Sequence, residues 1–165
     1  MTRLLTIIFS LAALTAFDGV AFGQQDNPVV GTWTIVSIDD VRPDGSKRAV
    51  FGSSLEGVLI FDAEGRYSLQ LCETDRPKFA ANDRNKGTPE ENQAAVKGCN
   101  PHWGRYSVDV TNKTINFHID HALFKNWEGT EQKRSFKLVG DELTYSIPNP
   151  SEGGVNPVVV WKRAK

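Results

Sequence analysis

Apolar and polar residues alternate along most of this chain with a period of two, the pattern of strands with one buried face. In residues 66–72, Tyr67, Leu69 and Leu71 share a face opposite Arg66, Ser68 and Gln70. In residues 142–147, Leu143, Tyr145 and Ile147 oppose Thr144 and Ser146. Further strands are predicted at 31–41, 57–62, 103–110, 114–121, 130–139 and 158–163. Ala63-Glu64-Gly65, Thr111-Asn112-Lys113 and Gly140-Asp141 supply tight turns between neighbours. A Pro/Gly-rich stretch, 148–157, precedes the last strand. Eight sequential strands with hairpin links predict an all-β fold, an antiparallel up-and-down barrel of about eight strands. Closure removes the edges that an open sheet would expose.

One segment breaks the alternation. Thr88-Pro89-Glu90-Glu91 has the spacing of a capping box, with proline at the first helical position, where its missing N–H costs nothing. One short helix is predicted over 89–97, with Gly98 as a left-handed stop. It lies in the loop between predicted strands three and four. The two cysteines, Cys72 and Cys99, stand at the ends of that insertion. They either form a disulfide, as an oxidising compartment favours, or are separately buried thiols. A bridge would make loop, helix and disulfide one unit, expected to cap one end of the sheet.

The first 23 residues belong to a different category. Thr2-Arg3 is a short positive start, 4–17 is largely apolar, and Ala21-Phe22-Gly23 is a small-x-small cleavage site. This is the layout of a secretory signal peptide, so the folded domain is expected to be 24–165, exported to a periplasmic or extracellular space. Lys+Arg number 19 and Asp+Glu 20, for a net charge of −1. That balance, without a basic stripe, argues against nucleic acid. No other run reaches the ~18 apolar residues of a membrane-spanning helix. Without the leader the apolar fraction falls from 39% to about 35%, low for a densely filled core and consistent with a hollow barrel.

Strand parity then selects the candidate chemistry. Tyr67, Tyr106 and Tyr145, the three tyrosines of the chain, all fall on inward faces, and each hydroxyl needs a partner if buried. In the sixth predicted strand Arg134 and Gln132 are in phase with the apolar Phe136 and Leu138. No acidic residue shares an equally clear inward phase. A guanidinium there either binds the anionic group of a ligand, with the tail against Phe61, Phe117, Leu69 and Leu143, or stays structural at the barrel mouth or against Trp33 or Trp161. His118 and His121 have a helix-type spacing, but on a strand they are expected on opposite faces, so no metal site is predicted. His118 and Asp120 share a face and could form an acid–base pair, although parity turns them outward. Trp103 is expected to pack under the helix, and Trp127 to line a pocket mouth or pin a loop.

Gly31-Thr32-Trp33 at the start and Trp161-Lys162-Arg163 at the end resemble the signature of lipocalin and calycin barrels. In those barrels the first-strand tryptophan packs at the closed end near a basic residue from the last strand. That resemblance implies barrel-closing roles for Trp33, Trp161 and Arg163. A fuller likeness, to the bacterial and fungal lipocalin-like domain family, is carried by several motifs in order: Arg76-Pro77-Lys78-Phe79-Ala80, Gly87-Thr88-Pro89-Glu90-Glu91-Asn92, Gly104-Arg105-Tyr106-Ser107-Val108-Asp109, Phe124-Lys125-Asn126-Trp127-Glu128-Gly129-Thr130 and Gly140-Asp141-Glu142-Leu143-Thr144. It implies a barrel with a small-molecule pocket, and makes His118 a motif residue. Cys72 and Cys99 depart from the family's pattern.

The leading expectation is a secreted or periplasmic protein that binds a small hydrophobic or amphipathic, anionic ligand inside the barrel. Its ligand-binding residues would be Arg134, Tyr67, Tyr106, Tyr145, Gln132, Phe61, Phe117, Leu69 and Leu143. The competing readings are an isomerase- or cyclase-type enzyme using His118, Asp120 and Tyr106, and a filled structural barrel. No nucleophile–base motif or cofactor fingerprint is present, so binding ranks above catalysis and no cofactor is expected.

Overall fold

A computed structural model describes residues 27–52, 54–148, 150 and 156–165. The leader at 1–23 and most of the stretch 148–157 lie outside the described residues. The strands are β1 Gly31–Val41, β2 Lys47–Ala49, β3 Leu55–Phe61, β4 Arg66–Glu73, β5 His102–Asp109, β6 Thr114–Ala122, β7 Glu131–Val139, β8 Glu142–Ser146 and β9 Pro157–Arg163, with one α-helix, α1 Pro89–Lys97. They form a single antiparallel sheet in the order β2-β1-β3-β4-β5-β6-β7-β8-β9, and β1 also pairs with β9. That pairing closes β1 and β3 through β9 into an eight-stranded barrel.

β2 stands outside this ring and was not expected. Lys-Arg-Ala carries no alternation and is fully exposed. It is a strand only because a hairpin turned by Gly45, at φ 82°, sets Ala49, Arg48 and Lys47 against Asp39, Asp40 and Val41. The arm shifts the strand count, so the helix follows the fourth strand and does not lie between the third and fourth.

α1 has the boundaries its capping chemistry predicts. Thr88 Oγ1 accepts from the Glu91 amide at 3.2 Å, and Glu91 Oε2 accepts from the Thr88 amide at 2.9 Å. Thr88→Ala is expected to cost about 1 kcal/mol, read as a lower urea midpoint and faster amide exchange at Glu91. The stop differs from expectation. Gly98 sits at φ −85° and ψ 4°, not in the left-handed region. Glycine serves there because a Cβ would come within 2.4 Å of Arg76 Cδ. The helix buries none of its residues and flanks the barrel mouth through Val96 and Lys97. It is therefore not the expected cap. Cys72 and Cys99 are disulfide-bonded, with Cα atoms 4.2 Å apart. Among the described residues no helix is long and apolar enough to cross a membrane.

Candidate functional site

The two ends of the barrel interior differ. At the closed end Arg163 lies over the Trp33 ring at 4.1 Å. Its Nη1 and Nη2 donate to the carbonyls of Val30 at 2.7 Å and Pro28 at 2.9 Å. Trp33 Nε1 donates to the Val29 carbonyl at 2.8 Å, which pins the entering chain across the bottom. Gly31, at φ +132°, leaves room for this, since a Cβ would sit 2.7 Å from Arg163 Nη1.

Above this plug the lower half is filled by aromatic rings. Phe61 packs on Tyr106 at 4.5 Å and on Phe117 at 5.8 Å, and Tyr67 meets Phe117 edge-on at 4.9 Å. The Tyr106 hydroxyl donates to the Asp62 carbonyl at 2.7 Å and accepts from Asn27 Nδ2 at 3.0 Å. Burial, then the nearby Asp62 charge, pushes it up to about 12. Phe61 and Phe117, expected along a ligand tail, and Tyr106, expected to offer its hydroxyl to the ligand, are thus occupied with one another, and Leu143 is buried in the same core. They do not line the cavity that remains, because rings of this size meet across a small barrel.

That cavity lies in the upper half and measures about 30 Å³; Leu69, His102, Trp127, Arg134, Tyr145 and Trp161 line it, with Ile38, Val50, Phe51 and Ile147 toward the mouth. It is small, with room for a guest of a few heavy atoms at most. Arg134 is 3% exposed. Its guanidinium stacks over Phe117 at 4.7 Å and Tyr145 at 5.0 Å, not over Trp33 or Trp161. Nη2 donates to Gln132 Oε1 at 2.7 Å, the neighbour two residues along the same strand face. Nε is buried without a hydrogen-bond partner, and among the described residues Arg134 makes no salt bridge. The buried carboxylate Asp40 lies toward the end of β1, 3.6 Å from Arg48. Burial pushes the Tyr145 hydroxyl up, opposed first by the charge of Arg134 and then by the nearby N–H groups of Trp161 and Arg134. Neither Trp161 Nε1 nor Arg134 Nε reaches an acceptor at hydrogen-bond geometry.

The profile of the lipocalin-like domain family matches residues 30–164, nearly the whole described barrel. The chain belongs to this family. Among solved structures it is similar to two point mutants of the fluorescent protein UnaG, with glutamine or alanine in place of an asparagine. They are 11% and 12% identical, and each match covers 83% of this chain and 96% of that one at a TM-score of 0.38. No curated protein sequence matches significantly.

The lipocalin-like domain holds one buried titratable group that strand parity missed. His102 is 1% exposed, and its Nδ1 lies 2.9 Å from the Tyr67 hydroxyl, with which it is hydrogen-bonded. Its ring stands edge-on to Trp127 at 5.6 Å. Burial, reinforced by the charge of Arg134, pushes it down to about 3, so it is neutral at pH 7. Burial pushes Tyr67 up, and the pair is a neutral hydrogen bond of which His102, not Tyr67, lines the cavity. A signal was available: extending the predicted strand back by one residue puts His102 in phase with Gly104 and Tyr106. Trp127, in the short 3-10 turn Lys125–Trp127, lines the cavity.

On the outer wall of the lipocalin-like domain, His118 Nδ1 lies 2.7 Å from Glu131 Oε1 and Nε2 3.4 Å from Asp120 Oδ1. Asp120 also faces Arg105 at 3.7 Å. A bulge does interrupt β6: Trp103 pairs with His121 and Gly104 with Ile119, leaving Asp120 as the extra residue. It leaves His118 outside and brings His121 onto the same outer wall, contrary to the expected opposite faces. There His121 packs against Trp103 at 5.2 Å, and Trp103, half exposed, is not under α1. His118 and Asp120 therefore do not meet the Tyr106 hydroxyl, and the acid–base set expected for an enzyme is not assembled. Among the described residues no cluster of three or more metal-ligating side chains exists.

Proposed function

We propose that this lipocalin-like domain is an exported binding protein that takes a small hydrophobic or amphipathic anion inside its barrel, anchored by Arg134. The observation that supports the reading is a buried guanidinium with an unpartnered Nε and, among the described residues, no salt bridge. Such a charge costs several kcal/mol of desolvation, so keeping it in an aromatic lumen is accounted for by a partner that arrives from outside. The cavity accepts the head of such a ligand. An apolar remainder would leave through the mouth between Phe51 and Ile147, with the segment after β2 yielding.

Arg134→Met tests this reading in two measurements. Hexanoate affinity, followed by calorimetry at pH 7, is expected to fall about 100-fold or more, as the charge-assisted contact of the guanidinium is lost. Urea stability is expected to hold or to rise by about 1–4 kcal/mol, because an uncompensated buried charge is replaced by a side chain of similar length. A variant that keeps its hexanoate affinity and loses stability would make Arg134 a structural residue. Export is checked on protein recovered outside the cytoplasm of its host, whose N-terminal residue is expected to be Gln24.

A further inference from the structure

Buried N–H groups in folded proteins nearly always find an acceptor. Among the described residues two buried side-chain atoms do not, Arg134 Nε and Trp161 Nε1. Both are donors without acceptor capacity. They come from β7 and β9, the two neighbours of β8, and both side chains line the cavity, together with Tyr145 from β8. Three adjacent strands thus aim two unsatisfied donors and a hydroxyl into one space and bring no carboxylate to it.

Resting on the reading of Arg134 as an anchor, we infer that Trp161 is a second ligand-binding residue, and that Arg134 Nε and Trp161 Nε1 jointly hold one anionic acceptor, a carboxylate or an oxoanion of similar size. Trp161 then has two roles, core packing through its ring and recognition through its N–H. A water molecule could bridge the same donors, but it would leave the guanidinium charge uncompensated, and that charge is the larger part of the cost. A cavity of about 30 Å³ fits a head group of a few atoms and excludes a coiled chain. The acceptor is either a free small anion or the head of a longer acid, and the two share the same donors.

The test is a titration of isotope-labelled full-length domain with sodium formate, sodium hexanoate and neutral acetamide, at pH 7 and constant ionic strength. It follows the indole N–H signals of the four tryptophans and the Arg134 Nε–H signal. The Trp33 indole, already bonded to the Val29 carbonyl, serves as the internal reference. The expected result is that the Trp161 and Arg134 signals move together with one Kd for the anions, that Trp33 stays in place, and that acetamide has no effect. Equal affinity for both anions assigns a free anion, and tighter hexanoate a carboxylate head. Trp161→Phe, which keeps an aromatic ring, is expected to weaken binding at least tenfold; the wild-type titration stands alone if that variant does not fold. If Arg134 moves while Trp161 does not, the joint site is overturned and the anchor reading stands. If acetamide binds as well as the anions, a neutral acceptor replaces the anion and the inference fails. If no probe moves either signal, both readings fail and the cavity holds water.

Discussion

Acidification from pH 7 to pH 3 is expected to cost this barrel about 4–5 kcal/mol through His102 alone. Its folded value, about 3, lies below the ordinary histidine value of 6.5, so between these limits the unfolded chain binds a proton that the folded chain refuses. Stability then rises with pH across that window. The contribution is fully present above pH 6.5 and is lost as pH falls toward 3; a difference of about 3.5 pH units corresponds to roughly 5 kcal/mol. Burial is the main cause and the charge of Arg134 the second, and neither relaxes while the barrel is closed. Carboxylates also titrate below pH 5, so the effect is isolated by comparison with His102→Gln, which keeps an acceptor for the Tyr67 hydroxyl. Urea midpoints measured at half-unit steps from pH 7 to pH 3 should converge for the two proteins as pH falls, with the wild type losing several kcal/mol more. Parallel curves would mean that His102 is solvated or protonated inside the barrel.

Replacing Cys72 and Cys99 together by alanine is the second large effect, an expected loss of about 3–4 kcal/mol from chain entropy alone. The bridge closes a sequence separation of 27 residues, most of it with few contacts to the barrel. Next to the sulfurs, the Glu73 amide donates to the Gly98 carbonyl and the Asn100 amide to the Leu71 carbonyl, each at 2.8 Å. These two bonds hold the returning chain against the end of β4. Leu71, Asn100 and His102 all border the cavity, so the loss should appear locally as faster amide exchange at Glu73 and Asn100, together with a lower urea midpoint. A change below about 1 kcal/mol would show that the insertion is held by its own contacts, such as Arg76 Nε on the Glu73 carbonyl.

The sequence by itself determined the strands of the barrel and the position of α1 to within two residues at most ends. Both signals are local. Side-chain alternation reports which face of a strand is buried, and Thr88 and Glu91 satisfy each other's amides without help from the barrel. The inward side of Arg134, Gln132 and the three tyrosines was readable for the same reason, whereas the closed end marked by Trp33 and Arg163 was legible only through the resemblance to lipocalin and calycin barrels. Tertiary structure alone decided what depends on convergence. β2 has no pattern of its own and exists through its pairing with β1. The bulge at Asp120, which moves His121 to the outer wall, is permitted by the missing side chain of Gly104, where a Cβ would lie 2.1 Å from the His118 carbonyl oxygen. Whether the lumen is hollow was equally beyond a one-dimensional reading, because ring sizes from eight strands must add up across the axis. Here Phe61, Tyr106 and Phe117 fill one half and leave a cavity in the other. The approach of His102 to Tyr67, and of the Trp161 N–H to the same cavity as Arg134, follows from that closure. Periodicity assigns a side chain to a face, but only the packed barrel shows which donors are left without an acceptor.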